Sequence, residues 1–247
     1  SDGVGTYTLY AYGGTVNSEY RVTFANEGAL TISARPITVT AVNKSRVYGD
    51  SNPEFTYVVA PDNTMTRGLY STDTLTGSLA TTATEATNVG TVAITQDTLT
   101  NVNNPNYDIT FNEGALTISA RPITVTAVNK SRVYGDSNPE FTYVVAPDNT
   151  MTRGLYSTDT LTGSLATTAT EATNVGTVAI TQDTLTNVNN PNYDITFNEG
   201  ALTISARPIT VTAVNKSRVY GDSNPEFTYV VAPDNTMTRG LYSTDTL

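Results

Sequence analysis

The sequence predicts an all-β protein built as a tandem array of small domains, and three observations predict it. Residues 33–118 recur without change as residues 119–204, a period of 86 residues, and a third copy runs 43 residues from Ser205 to Leu247. Thr occurs 18 times in each unit, and Thr and Val suit a pleated, half-buried surface. Short runs alternate apolar and polar residues with the period of a strand, and no segment sustains the period of a helix. The repeat is longer than the roughly 20–50 residues of a solenoid unit and long enough for a domain with its own core. The organisation read from the copies is residues 1–34 as the C-terminal part of a diverged preceding repeat, 35–120 and 121–206 as complete repeats, and 207–247 as the N-terminal part of a following one. Two whole units between two partial ones read as a stretch of a longer array. The partial ends are expected to be half-folded, paired with each other, or completed by neighbouring chains.

The elements follow in chain order. Leu30 and Ile32 are apolar at even positions, whereas Ile37, Val39 and Ala41 are apolar at odd positions. A strand has period two, so the buried side turns over between them, at Ala34-Arg35-Pro36. Proline lacks a ladder donor and suits a strand start or a joint. The last strand of one repeat is therefore expected to run into the first strand of the next through about two to four extended residues. Tyr48-Gly49-Asp50-Ser51-Asn52-Pro53 and Ala60-Pro61-Asp62-Asn63 carry turn chemistry. Between those turns Phe55, Tyr57 and Val59 mark a strand. Leu69 to Leu75 is read as a helical turn or short helix, Leu75 and Leu79 bracket a further strand, and Val92 and Ile94 mark another. Tyr107, Ile109 and Phe111 alternate, as do Leu116 and Ile118, and Asn112-Glu113-Gly114 between them reads as a hairpin turn closed by a Gly bulge. Six or seven strands per repeat fit either a β-grasp-like sheet or an immunoglobulin-like sandwich. With no Gly/Ser linker, the array is expected to be an elongated rod that advances roughly 30–45 Å per repeat.

Composition narrows the function. The 247 residues carry 13 Lys+Arg against 23 Asp+Glu, a net charge of −10, with no Cys, His or Trp. These absences exclude a disulfide framework, thiolate metal sites and imidazole-based catalytic triads. Acidity argues against nucleic acid and against anionic membrane surfaces. No run of apolar residues is long enough for a membrane helix, and residues 1–5 do not read as a signal peptide.

The ordered blocks Arg35-Pro36-Ile37-Thr38-Val39-Thr40-Ala41, Lys44-Ser45-Arg46-Val47-Tyr48-Gly49-Asp50-Ser51-Asn52-Pro53, Asn88-Val89-Gly90-Thr91, Asn106-Tyr107-Asp108-Ile109-Thr110-Phe111 and Glu113-Gly114-Ala115-Leu116-Thr117-Ile118 resemble the MBG/YDG-type repeat. The resemblance covers both whole units and both partial ones. The N-terminal part departs furthest, with Tyr7-Thr8-Leu9-Tyr10 where later copies have Val92-Ala93-Ile94-Thr95. The resemblance implies tandem, mainly-β domains of very large bacterial surface or secreted proteins, often adhesin-like. It implies no enzyme activity and supplies no catalytic residues.

Candidate sites are few. Asp50, Asn52 and Glu54, repeated as Asp136, Asn138 and Glu140, place oxygen ligands at alternate positions as calcium loops do, with Asp62, Asp73 and Asp97 as further donors. The loop lacks the glycine and the distal Glu of an EF-hand, and a plain turn ending a strand is the simpler account. Lys44, Lys130 and Lys216 are candidates for a Lys–Asn or Lys–Asp cross-link, against the plainer reading of strand-end lysines. Asn43-Lys44-Ser45 fits an N-glycosylation triplet. Tyr48, Tyr57, Tyr70 and Tyr107 suggest either a binding face or core packing, core for Tyr57 and Tyr107. No cofactor is expected beyond calcium. The functional expectation is a non-catalytic stalk or spacer in an extracellular, adhesin-like bacterial protein or fibre. Its partners are neighbouring repeats or other copies of the chain, without nucleic acid or membrane insertion. The alternatives are a repeated binding module for host glycan or protein that gains from avidity, and a self-assembling filament subunit.

Overall fold

The computed structural model describes residues 2–12, 18–23, 28–60, 68–146, 154–232, 240–243 and 245–246. The turn read at residues 60–63 lies mostly outside them, and Asp62 wholly so. The chain divides into two compact units, Ser1–Ala120 and Arg121–Leu247. The described residues contain strands and turns and no helix.

The first unit holds a short pair and a whole repeat. β1 (Gly5–Leu9) and β2 (Gly28–Ile32) pair antiparallel. The repeat comprises β3 (Arg35–Ala41), β4 (Lys44–Val47), β5 (Tyr57–Ala60), β6 (Leu79–Ala80), β7 (Gly90–Gln96), β8 (Tyr107–Asn112) and β9 (Gly114–Ser119). One sheet has the order β5-β3-β8 and the other β4-β9-β7-β6. This is a small sandwich rather than a grasp-like sheet, which needs a covering helix. Ile37 and Val39 of β3 pack with Tyr107 of β8, Leu75 and Leu99, and Leu79 of the other sheet adds to the cluster. Burying a side chain such as Leu99 contributes about 1.5–3 kcal/mol.

The alternation in β3, β5, β7, β8 and β9 forms strands as expected, but three sequence expectations fail. Leu75 and Leu79 do not bracket a strand, since β6 only begins at Leu79. Tyr107–Ile118 is not a hairpin. β8 pairs parallel with β3 in one sheet, while β9 pairs with β4 and β7 in the other, and the chain crosses between sheets at Glu113. β3 and β4 make the same crossing through Val42 and Asn43, so two near-continuous ribbons run side by side. Gly114 serves this crossing by closeness and not by a left-handed φ, since a Cβ there would lie 2.8 Å from the Ala41 carbonyl oxygen. The segment 69–75 is a tight turn and not a helix, because the Asp73 N–H returns to the Tyr70 carbonyl at 3.0 Å around Ser71, whose φ is 53°.

The second unit repeats the architecture with β10 (Arg121–Ala127), β11 (Lys130–Val133), β12 (Tyr143–Ala146), β13 (Leu165–Ala166), β14 (Gly176–Gln182), β15 (Tyr193–Asn198) and β16 (Gly200–Ser205). β17 (Thr210–Ala213) and β18 (Tyr229–Ala232) follow as an antiparallel pair. The partial ends therefore keep one native pair each. β1–β2 reproduces the register of β7–β9, and β17–β18 that of β3–β5. Strand follows strand across each repeat boundary with little chain between. Two residues separate β2 from β3, one separates β9 from β10, and four separate β16 from β17.

Candidate functional site

Two turns in each repeat carry the least ordinary chemistry. The first is the Tyr-Gly-Asp turn. Arg132, on β11, is 7% exposed, and its guanidinium spends its donors on neutral oxygens. Nε donates to Asn138 Oδ1 at 2.9 Å, Nη1 to the Val133 carbonyl at 3.2 Å and Nη2 to the Thr170 carbonyl at 2.5 Å. Asn138 in turn donates to the Ala169 carbonyl at 2.7 Å. This network fixes the chain on both sides of Tyr134-Gly135-Asp136. The Tyr134 N–H donates to the Ser205 carbonyl at 2.9 Å and the Gly135 N–H to the Glu171 carbonyl at 3.2 Å. Gly135 has a φ of 82°, a region that disfavours a side chain. In the first repeat Arg46 makes the same bonds to Asn52 and the carbonyls of Val47 and Thr84.

The second turn begins at Tyr70. Its Ser71 takes a left-handed φ, as do Ser157 and Ser243 at the same place in the other copies. Such a backbone costs on the order of 1–2 kcal/mol and persists where the surroundings over-determine it. Here Tyr107 does so. Its hydroxyl donates to Asp73 Oδ2 at 2.5 Å and accepts the Tyr70 N–H at 3.0 Å. Burial, and then the bond to Asp73, raise the Tyr107 pKa above the ordinary tyrosine value. In the second repeat Tyr193 bonds to Asp159 and Tyr156 in the same way.

The second unit shows what these two turns do. Arg207, the residue before the proline of the third copy, donates through Nη1 to the Tyr134 carbonyl at 2.9 Å and lies 3.5 Å from Asp136 Oδ1. Its Nε is fixed by the Gly240 carbonyl at 2.9 Å. The rings of Tyr134 and Tyr242 meet edge to face, with centroids 5.5 Å apart at 76°. The Tyr134 hydroxyl reaches Asp245 at 3.4 Å and the Tyr242 hydroxyl reaches Glu171 at 3.4 Å. The Tyr-Gly-Asp turn of one repeat is thus clasped by Arg207, Tyr242 and Asp245 of the next. A Cβ on Gly135 would lie 2.6 Å from Tyr242 Cδ2 and 2.7 Å from Arg207 Nη1. The glycine is required by contact as well as by φ.

The first unit carries the same three residue types at the matching positions. Arg35, Tyr70 and Asp73 line a cleft of about 410 Å³ with Val4, Asn106 and Tyr107. The Arg35 guanidinium stands 6.0 Å from the Tyr70 ring centre. Arg121 and Arg207 each give Nε to a glycine carbonyl, but the Arg35 Nε is buried with no hydrogen-bond partner among the described residues.

The candidates read from sequence fall mostly elsewhere. Asp50 is half-buried and Glu54 exposed. Asn52 has its carbonyl taken by Arg46 and its amide by Ala83. Asp136 faces Arg207, Asn138 is bound by Arg132, and Glu140 is exposed. Asp73 is held by Tyr107 and Asp97 accepts from Ser78. Among the described residues no three acidic side chains gather to hold a metal ion. Lys44 and Lys130 are half-buried at strand starts, and Lys216 is exposed. Asn43 accepts the Ala115 N–H at 2.8 Å and so helps fix the crossing into β9. Sequence reasoning passed over Arg207, Ser243 and the buried Arg46. A lone Arg at every parity flip, always before Pro, was the available signal.

A family model described as MBG domain (YGX type) matches residues 37–117, 123–203 and 209–247. No curated protein and no solved structure matches the chain.

Proposed function

Because the chain belongs to the MBG domain family of the YGX type, a family of non-catalytic repeat domains, we propose that it acts as a spacer, a jointed stalk segment in an extracellular, adhesin-like bacterial protein. The clasp between Tyr134-Gly135-Asp136 and Arg207, Tyr242 and Asp245 carries this reading. It turns the boundary between two repeats into a packed contact where a flexible linker would otherwise be. Identical copies suit reach better than varied recognition. The Thr-rich strands and the charge of −10 support solubility outside the cell. With no Cys, stability rests on the sandwich cores and on the joints.

Single-molecule stretching of the chain tests the reading. Each whole repeat is expected to release its 86 residues in one step, about 28–31 nm of contour less the folded span. A trace without a repeating step overturns it. So does glycan or protein binding that climbs steeply with copy number, which is the mark of a multivalent binding module.

A further inference from the structure

We propose that each whole repeat bears load, its first and last strands forming a clamp that is sheared when the chain is pulled from its ends. The proposal rests on the spacer reading, because a stalk segment is loaded through its two ends. In the first repeat the chain enters at Arg35 on β3 and leaves at Ser119 on β9. The entering ribbon, β3 and β4, lies parallel to the leaving ribbon, β8 and β9. Arg35 stands opposite Tyr107 at the start of β8, and Ser119 opposite Val47 at the end of β4. Tension therefore draws the two ribbons past each other along their length. Every hydrogen bond between them resists at once, whereas peeling the ribbons apart would break the bonds singly. Only Ala120 separates β9 from β10, so tension leaving one clamp passes straight into the first strand of the next.

The seam between the ribbons is bonded from end to end. At one end the Arg35 N–H donates to the Asn106 carbonyl at 2.9 Å, and at the other the Tyr48 N–H donates to the Ser119 carbonyl at 2.9 Å. The two parallel ladders lie between them. Where the chain crosses between sheets and the ladder is interrupted, side chains take over. Asn112 donates to Thr40 Oγ1 at 3.2 Å, and Asn43 accepts the Ala115 N–H at 2.8 Å. Within β8 the Ile109 N–H donates to Asn101 Oδ1 at 2.9 Å rather than to β3. Successive N–H groups along a strand point to opposite sides, so Thr110 turns its N–H toward β3. The second repeat makes the same bonds, from Arg121 to Asn192, Tyr134 to Ser205, Asn198 to Thr126 and Ala201 to Asn129. Forced unfolding is governed by the unfolding barrier. A contact broken at that barrier sets the force, and a contact still intact there does not.

Stretching the 247-residue chain in two directions tests the clamp. Pulled through its two ends, each whole repeat is expected to give a distinct force peak. The chain has no Cys, so a handle on Val102→Cys, at an 87% exposed residue in the turn before β8, attaches specifically. Pulling between that handle and the N-terminus loads β3 and β8 at the same end, and the peak of the first repeat is expected to be lost. Thr110→Pro removes one donor from the first seam and is expected to lower that peak alone, with the second repeat as internal reference. If the proline unfolds the first repeat, its step disappears, and Asn43→Ala, which deletes one side-chain bond at the crossing, is expected to lower the peak in its place. Leu79→Ala, which loosens the core away from the seam, is expected to lower the melting point and leave the peak force unchanged. Equal peak forces in the two directions overturn the proposal, as does a peak that follows the melting point wherever the substitution lies. Steps of 86 residues without a force peak remove the clamp and leave the spacer reading intact, whereas a trace with no repeating step removes the spacer itself.

Discussion

Gly135 shows how one missing side chain decides a joint. Its left-handed φ alone would make alanine strained, at a cost on the order of 1–2 kcal/mol. Its Cβ would also strike Tyr242 and Arg207, whereas one on Gly221 would meet nothing. Gly135→Ala is therefore expected to open the clasp and speed amide hydrogen exchange in β17, while Gly221→Ala leaves exchange there unchanged. Equal exchange in the two variants would remove Gly135 from the joint. Tyr107 gives a second residue-level expectation. Its pKa is raised in the fold, so it supplies stability that is present below the unfolded value of about 10 and is lost as pH rises through the folded value. Denaturant midpoints at pH 8 and pH 11 are expected to fall less in Tyr107→Phe than in the parent. An identical fall would show that the hydroxyl contributes nothing.

Among the elements, what was legible depended on distance along the chain. β3, β8 and β9 could be read because alternation is a local signal and burial follows it along each strand. β4 was missed because Lys44-Ser45-Arg46-Val47 looks polar, yet Arg46 points inward and is satisfied by an amide and two carbonyls. The hairpin reading failed because a Gly between two alternating runs signals a turn, and only the partner strand reveals a crossing. Gly114 is needed because Ala41, 73 residues away in sequence, passes so close. Gly114→Ala is expected to push the two ribbons apart and destabilise the repeat by about 1–3 kcal/mol. Thermal melting measures it, and an unchanged midpoint would mean the ribbons have room. The clasp was illegible for the same reason, since Tyr134 and Arg207 stand 73 positions apart. The resemblance in the repeated blocks indicated the family without indicating what the Tyr-Gly-Asp turn touches.

For the whole molecule, the two units carry the same sandwich because they carry the same 86 residues. That identity also brings a hazard, since like strands can pair with the wrong copy during folding. The stepwise unfolding expected on stretching belongs to this scale, because it asks whether each sandwich yields on its own. The clasp has a further consequence for the gene. Every part of it lies at a fixed place in the repeated block: Tyr134 and Gly135 near the front of one copy, Arg207 and Tyr242 at the same offsets as Arg121 and Tyr156 in the copy before. Duplicating or deleting one block hands the new neighbour a matching turn and a matching receptor together. Recombination can then lengthen or shorten the array in whole increments, with no compensating mutation at the seam.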